Sequence, residues 1–71
     1  MEKLKEVEEL VFKEPPNVKL KKVDVEGYTG LVGMLVEERE SESVVVVPLE
    51  DDNDNRWDEY WLVENESLEN I

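Results

Sequence analysis

The chain has 71 residues, and its 20 acidic against 8 basic residues give a formal net charge of -12. A chain of this length has room for one hydrophobic core, so we expect a single domain over residues 1–71. It contains neither histidine nor cysteine, which removes the commonest catalytic base, the thiol nucleophile and the usual transition-metal ligands. We therefore expect a protein that is not an enzyme and that holds no cofactor and no metal.

Residues 2–12 are predicted to form an amphipathic helix. Charged side chains fill one face, and apolar residues recur on the other face at helical spacing, namely Leu4, Val7, Leu10 and Val11. The Pro15-Pro16 pair then ends the element, because proline has no backbone amide to donate. The segment lacks the continuous apolar stretch of a signal peptide or a membrane span, and cysteine is absent, so we expect a soluble protein of the cytoplasm.

From Val18 onward, apolar residues alternate with polar ones, which is typical of strands. Four consecutive valines, Val44 to Val47, give the strongest of these predictions, since β-branched residues disfavour helix. The predicted strands are about 18–25, 30–37, 44–49 and 56–63. The resulting fold class is α+β, with the N-terminal amphipathic helix packed on a small twisted antiparallel sheet or on an SH3-like open barrel of four to five strands.

The negative charge is concentrated in the C-terminal half, where residues 37–71 hold thirteen acidic residues against Arg39 and Arg56. Such a surface repels nucleic acid and anionic membranes and attracts basic proteins. Acids at alternate positions of a strand lie on one face, about 6.6 Å apart, and so resemble a row of phosphates. The alternative is that the acids only keep a small protein soluble or adapt it to salt, although a charge of -12 exceeds the range of about 2–8 recommended for a small domain.

Two connections carry the acids that we expect to contact a basic partner. The first choice is the connection before the last predicted strand and the start of that strand, with Glu50, Asp51, Asp52, Asp54, Asp58 and Glu59. The second choice is the connection that contains Glu38, Glu40 and Glu42. If both connections lie at the same end of the sheet, their charges merge into one stripe.

The acidic run from Asp51 to Asn55 also has the alternating acids and amides of a calcium loop. Counted from Asp51, however, Arg56 stands where the invariant glycine belongs, and Leu62 stands where the bidentate glutamate belongs. A solvated loop between strands is therefore the better interpretation, and weak cation binding is the alternative.

The size, the charge of -12, the absence of histidine and cysteine, and the acidic run Glu50-Asp51-Asp52-Asn53-Asp54 together resemble the small acidic DNA-mimic proteins encoded by bacteriophages. Some of those proteins occupy the DNA-binding surface of host nucleoid proteins of the HU type. The resemblance implies an inhibitor that competes with DNA for a basic, nucleoid-associated protein in the bacterial cytoplasm, without itself binding nucleic acid or membrane. It covers the whole chain and carries over no individual residue, since such proteins share no common motif.

A second resemblance is local and concerns the order of strands and turns. Gly30-Leu31-Val32-Gly33, Val44 to Val47, Trp57 to Val63 and Ser67-Leu68-Glu69 are similar in order to the strands of small SH3-like barrel subunits of photosynthetic electron-transfer complexes. This implies the alternative function, a structural subunit that docks on a larger complex through apolar and aromatic anchors. Because chains below about 70–80 residues rarely stabilise themselves generously without disulfides or metals, a homodimer is an open alternative as well.

Overall fold

The computed structural model describes residues 1–8 and 15–71, and its regular structure is almost entirely β-strand. The elements in chain order are β1 Glu2–Glu8, β2 Val18–Leu20, β3 Val32–Glu38, β4 Glu42–Glu50, β5 Arg56–Glu64, a 3₁₀ turn Asn65–Ser67 and β6 Leu68–Asn70. These described residues contain no α-helix. Over the same ranges, no helical segment has the length and apolarity that crossing a membrane requires.

The six strands form one sheet in the order β1-β5-β4-β3-β2-β6. Every pair is antiparallel, which confirms the predicted antiparallel sheet, although the described residues form six strands rather than four or five. The longest pairing of the sheet joins β4 to β5 and runs without a shift from Glu42 opposite Glu64 to Glu50 opposite Arg56. The outer strands are β1, on the side of β5, and β6, which pairs with the short β2.

The prediction of a helix over residues 2–12 is wrong, and the α+β class is wrong with it, because Glu2–Glu8 is strand β1 and pairs with β5. The rest of the predicted helix, 9–12, lies outside the described residues. A lone helix of this length is marginal in water, whereas a strand gains a ladder of hydrogen bonds with its neighbour. An irregularity in the pairing at Leu4 leaves that side chain 44% exposed. Leu4 and Val7 therefore have the spacing of a helix face although both belong to a strand.

The first predicted strand, 18–25, is shorter in the structure, because β2 ends at Leu20. The chain then turns back toward β3 through Gly27 and Gly30, whose φ angles are 87° and 94°, a region that glycine occupies without steric cost. Two valines of this region pack against the core as partly buried residues, Val23 and Val25. The alternation of these valines with charged residues therefore does not mark a strand. It arises because both valine side chains pack on the core from the turns that follow β2.

The main hydrophobic cluster lies on one face of the sheet, where alternate residues of β4 and β5 meet both apolar residues of β2, whereas Val44 and Val46 are buried on the other face. The buried members of the cluster are Val18, Leu20, Val45, Val47, Trp61 and Val63. The Tyr28 ring packs edge-on against the Trp61 indole with 5.1 Å between ring centroids. On β3, a Cβ atom at Gly33 would overlap the backbone carbonyl oxygen of Val46. Glycine at this position therefore permits the close approach of β3 to β4.

Candidate functional site

Strand β4 separates the two acidic connections that the sequence singles out. It has nine residues, from Glu42 to Glu50, and at about 3.3 Å per residue its ends lie roughly 26 Å apart. The charges of the two connections therefore do not merge into one stripe. We call one acidic surface the loop end, which consists of residues 50–56 with Glu6 and Glu8. We call the other the hairpin end, which consists of residues 37–42 with Glu64 and Glu66.

The loop end includes two acids that sequence reasoning missed, Glu6 and Glu8. The pairing of β1 with β5 sets Glu8 opposite Trp57 and Glu6 opposite Glu59. The two carboxylates therefore line an open cleft of about 780 Å³ together with Asp51, Asp54, Asn55, Arg56 and Trp57. The alternation of charged residues around Val7 is the signal that could have placed them on a strand beside the acidic loop.

Asp51 holds the loop in one conformation. One of its carboxylate oxygens accepts hydrogen bonds from the backbone amides of Asn53 (2.8 Å) and Asn55 (3.1 Å), and the other accepts from the Asn55 side-chain amide (3.0 Å). These bonds, above all the one from the Asn55 side chain, hold the pKa of Asp51 below its usual value of 3.8. Within the same loop, Asp54 has a φ of 62°. Among the described residues, no group of three or more acids is arranged to hold a metal ion.

Besides Asp51, three first-choice acids are exposed at the loop end, namely Glu50, Asp52 and Asp54. The Arg56 Nε atom lies 3.4 Å from a Glu50 carboxylate oxygen, and both side chains of this ion pair are more than half exposed. An exposed pair of this kind is worth only about 0–1 kcal/mol, so a partner can replace it. All three carboxylates are therefore accessible to a binding partner.

Glu59, by contrast, is a buried acid on the core face and is 4% exposed. One carboxylate oxygen accepts from the Tyr28 hydroxyl (2.6 Å) and the Trp61 indole (3.0 Å), and the other accepts from the Trp57 indole (2.8 Å) and the Lys3 ammonium (3.3 Å). Burial by itself would raise the pKa of Glu59, but these four donors outweigh it and hold the pKa below its usual value of 4.5. Glu59 thus joins β5 to β1 and to the turn that carries Tyr28.

Asp58, the preceding residue on β5, is buried on the opposite face of the sheet and is 0% exposed. Within the described residues neither of its carboxylate oxygens has a hydrogen-bond partner. This burial raises the pKa of Asp58 above its usual value of 3.8, because a charged carboxylate loses its hydration there. Neither Asp58 nor Glu59 is therefore placed to touch a partner at the surface.

The hairpin end carries the second-choice acids. Glu38 and Glu40 are exposed, whereas Glu42 is half-buried and lies directly opposite Glu64, an arrangement in which like charges repel. The turn between β3 and β4 is held by Asn65, whose side-chain amide donates hydrogen bonds to the carbonyl oxygens of Arg39 (3.0 Å) and Glu40 (3.2 Å). The hairpin end is therefore also acidic and ordered, with fewer fully exposed candidate acids than the loop end.

Comparison of the chain with protein-family models, with curated proteins and with solved structures finds no match. We therefore base the assignment of function on the positions and charges of the side chains.

Proposed function

We propose that this protein is an acidic interaction protein that binds the basic nucleic-acid-binding surface of a DNA-binding protein, of the nucleoid-associated type, and inhibits it by competing with DNA. The observation that supports this is the loop end, where Glu6, Glu8, Glu50, Asp52 and Asp54 are exposed around one ordered loop. A partner of this class places the interaction in the cytoplasm.

The charge of the loop end is suited to replacing phosphates. A DNA-binding protein gains much of its affinity from lysines and arginines that neutralise phosphates and release counterions. Carboxylates held at neighbouring positions can take the same cations without any base-specific contact. Because one exposed ion pair is worth only about 0–1 kcal/mol, several carboxylates must act together.

The fixed conformation of the loop also favours binding of a basic partner. The three hydrogen bonds accepted by Asp51 fix the positions of Asp52 and Asp54 before any partner arrives. Ordering a flexible segment on binding costs free energy, and a preorganised surface avoids that cost. The loop end therefore serves as the contact surface in this proposal, and the hairpin end, roughly 26 Å away along β4, lies outside it or at its rim.

The test is displacement of DNA from a purified HU-type nucleoid protein, followed by fluorescence anisotropy of labelled duplex DNA. We expect the wild-type chain to release the DNA at low salt and to lose this effect as salt rises, because screening weakens exposed charges. The loop variant carries Glu50→Gln, Asp52→Asn and Asp54→Asn and keeps Asp51, which holds the loop. It should compete roughly 10- to 100-fold less well, as expected for three exposed pairs.

The matched control is the hairpin variant, with Glu38→Gln, Glu40→Gln and Glu42→Gln, which removes the same number of charges at the other end of β4. It should compete within a few-fold of wild type. Equal losses in the two variants would mean that total charge, rather than the loop end, governs binding. A pull-down from bacterial lysate that yields no basic protein, or only a complex that survives high salt, would refute the proposal and favour a docking subunit.

A further inference from the structure

The carboxyl group of Asp58 is buried on β5, between β1 and β4. In the pairing of the strands it lies opposite Val7 of β1 on one side and opposite Pro48 of β4 on the other. It is 0% exposed, and neither oxygen finds a donor within the described residues. A buried carboxyl without donors is stable only as the neutral acid, because the charged form requires water or a partner.

The charged groups beside Asp58 on this face are engaged elsewhere. The remaining acids of the face lie toward its hairpin end, namely Glu2, Glu37, Glu42 and Glu64. From β1 this face carries Lys5, whose ammonium lies 4.5 Å from the centroid of the Tyr60 ring of β5. From β4 it carries Glu50, and from β5 it also carries Arg56, and these two form an ion pair with each other. None of these cations contacts Asp58 in the part of the chain that the structure describes.

We propose that the Asp58 carboxyl is a pH-sensitive latch: the protonated form holds the Glu6–Glu8 end of β1 on β5, and the ionised form releases it. Ionisation demands access to water, and water can reach Asp58 most easily by displacement of β1. Strand β4 pairs with β5 over its whole length without a shift and with β3 from Ser43 to Val46. Strand β1 pairs with β5 alone among the described strands, and this pairing has an irregularity at Leu4. This latch does not depend on the partner proposed above.

The direction of the pH response follows from the burial of Asp58. Its pKa is raised in the folded, docked form, while a released Asp58 in water has the usual value of 3.8. Protonated Asp58 therefore stabilises the docked form of β1 fully below pH 3.8, and this stabilisation is lost as the pH rises through the raised pKa. In that interval the ratio of released to docked β1 should grow about tenfold per pH unit, and above it the ratio should stay constant.

The experiment is amide hydrogen exchange by NMR on the full chain across this pH range, corrected for intrinsic exchange, together with the carboxyl ¹³C shift of Asp58. Wild type is compared with Asp58→Asn, which cannot ionise, and with Asp52→Asn, which removes an exposed acid. We expect the Asp58 carboxyl to titrate above 3.8. Protection of residues 6–8 should fall about tenfold per pH unit up to that midpoint in wild type and in D52N, and should not change with pH in D58N.

Two results would overturn the latch: titration of Asp58 at or below 3.8, or the same pH dependence of residues 6–8 in D58N as in wild type. If D58N does not fold, the wild-type data decide by comparison with the β3–β4 pair. Loss of protection that is confined to residues 6–8 supports the latch, and a loss shared by the whole sheet contradicts it.

Discussion

Replacement of Glu59 by glutamine tests whether the buried carboxylate holds the sheet together. The carboxylate accepts hydrogen bonds from the Tyr28 hydroxyl and from the Trp57 and Trp61 indoles. Glutamine has one acceptor oxygen and one amide donor, so at least one of these donors would face an N–H group instead of an oxygen. The remaining bonds would also lose the strength that a charged acceptor gives them.

The magnitude follows from the number of buried donors. A hydrogen bond to a charged group contributes about 1.5–3 kcal/mol, and a neutral one about 0.5–1.5 kcal/mol. One lost bond and two weakened bonds, offset by the lower desolvation cost of an amide, give a loss of about 2–4 kcal/mol in the free energy of unfolding. A chain of 71 residues has a total of roughly 4–11 kcal/mol at typical values per residue, so Glu59→Gln should remove a large part of its stability.

Urea titration followed by tryptophan fluorescence measures this loss, since both tryptophans donate to Glu59. The control is Glu40→Gln, at an exposed position of the hairpin, which should change stability by less than about 0.5 kcal/mol. Because the pKa of Glu59 is lowered in the fold, its contribution is present above pH 4.5 and is lost as the pH falls below that value, and Glu59→Gln should abolish this acid sensitivity. A loss smaller than about 1 kcal/mol would show that the network does not stabilise the fold as the geometry indicates.

Two further predictions concern single residues of the core. Burial, reinforced by the Glu59 carboxylate, raises the pKa of Tyr28 from 10.0 to about 12, so its contribution to stability should persist up to pH 10 and be lost as the pH rises toward 12. A phenolate absorbance titration should show this late step in wild type and not in Tyr28→Phe, and an unchanged titration curve in the variant would contradict the assignment. Gly33→Ala should lower the free energy of unfolding by about 1–3 kcal/mol in urea titration, because its Cβ would meet the Val46 carbonyl, and full stability of that variant would mean that β3 can move away from β4 without cost.

Strands whose residues have strong local preferences could be predicted from the sequence. The N-terminal strand could not. The valine run Val44 to Val47 lies within β4, as its β-branched side chains indicate. The N-terminal prediction failed because Leu4, at the irregularity of β1, breaks the alternation of a strand and leaves a spacing that also fits a helix. Such an irregularity depends on the partner strand β5, and a pattern of single residues does not contain that information.

The burial of two candidate site residues could not be predicted from the sequence either. Asp58 and Glu59 are neighbours in an acidic sequence, and nothing in their composition separates them from Asp52 or Asp54. Their burial comes from β5 being covered on both faces and paired with β1 and β4. The separation of the two acidic connections, in turn, follows from the fact that successive antiparallel hairpins turn at opposite ends of their shared strand.

The outer edge of β1 bears on self-association. Two copies that extend the sheet through this edge are related by a two-fold axis perpendicular to the sheet. A register centred on Lys5 sets Lys5 against its own copy, and one centred on Glu6 sets Glu6 against itself. Like charges directly opposite each other destabilise a strand pair. The charges of β1 thus disfavour these two registers of edge-to-edge pairing between copies of the chain.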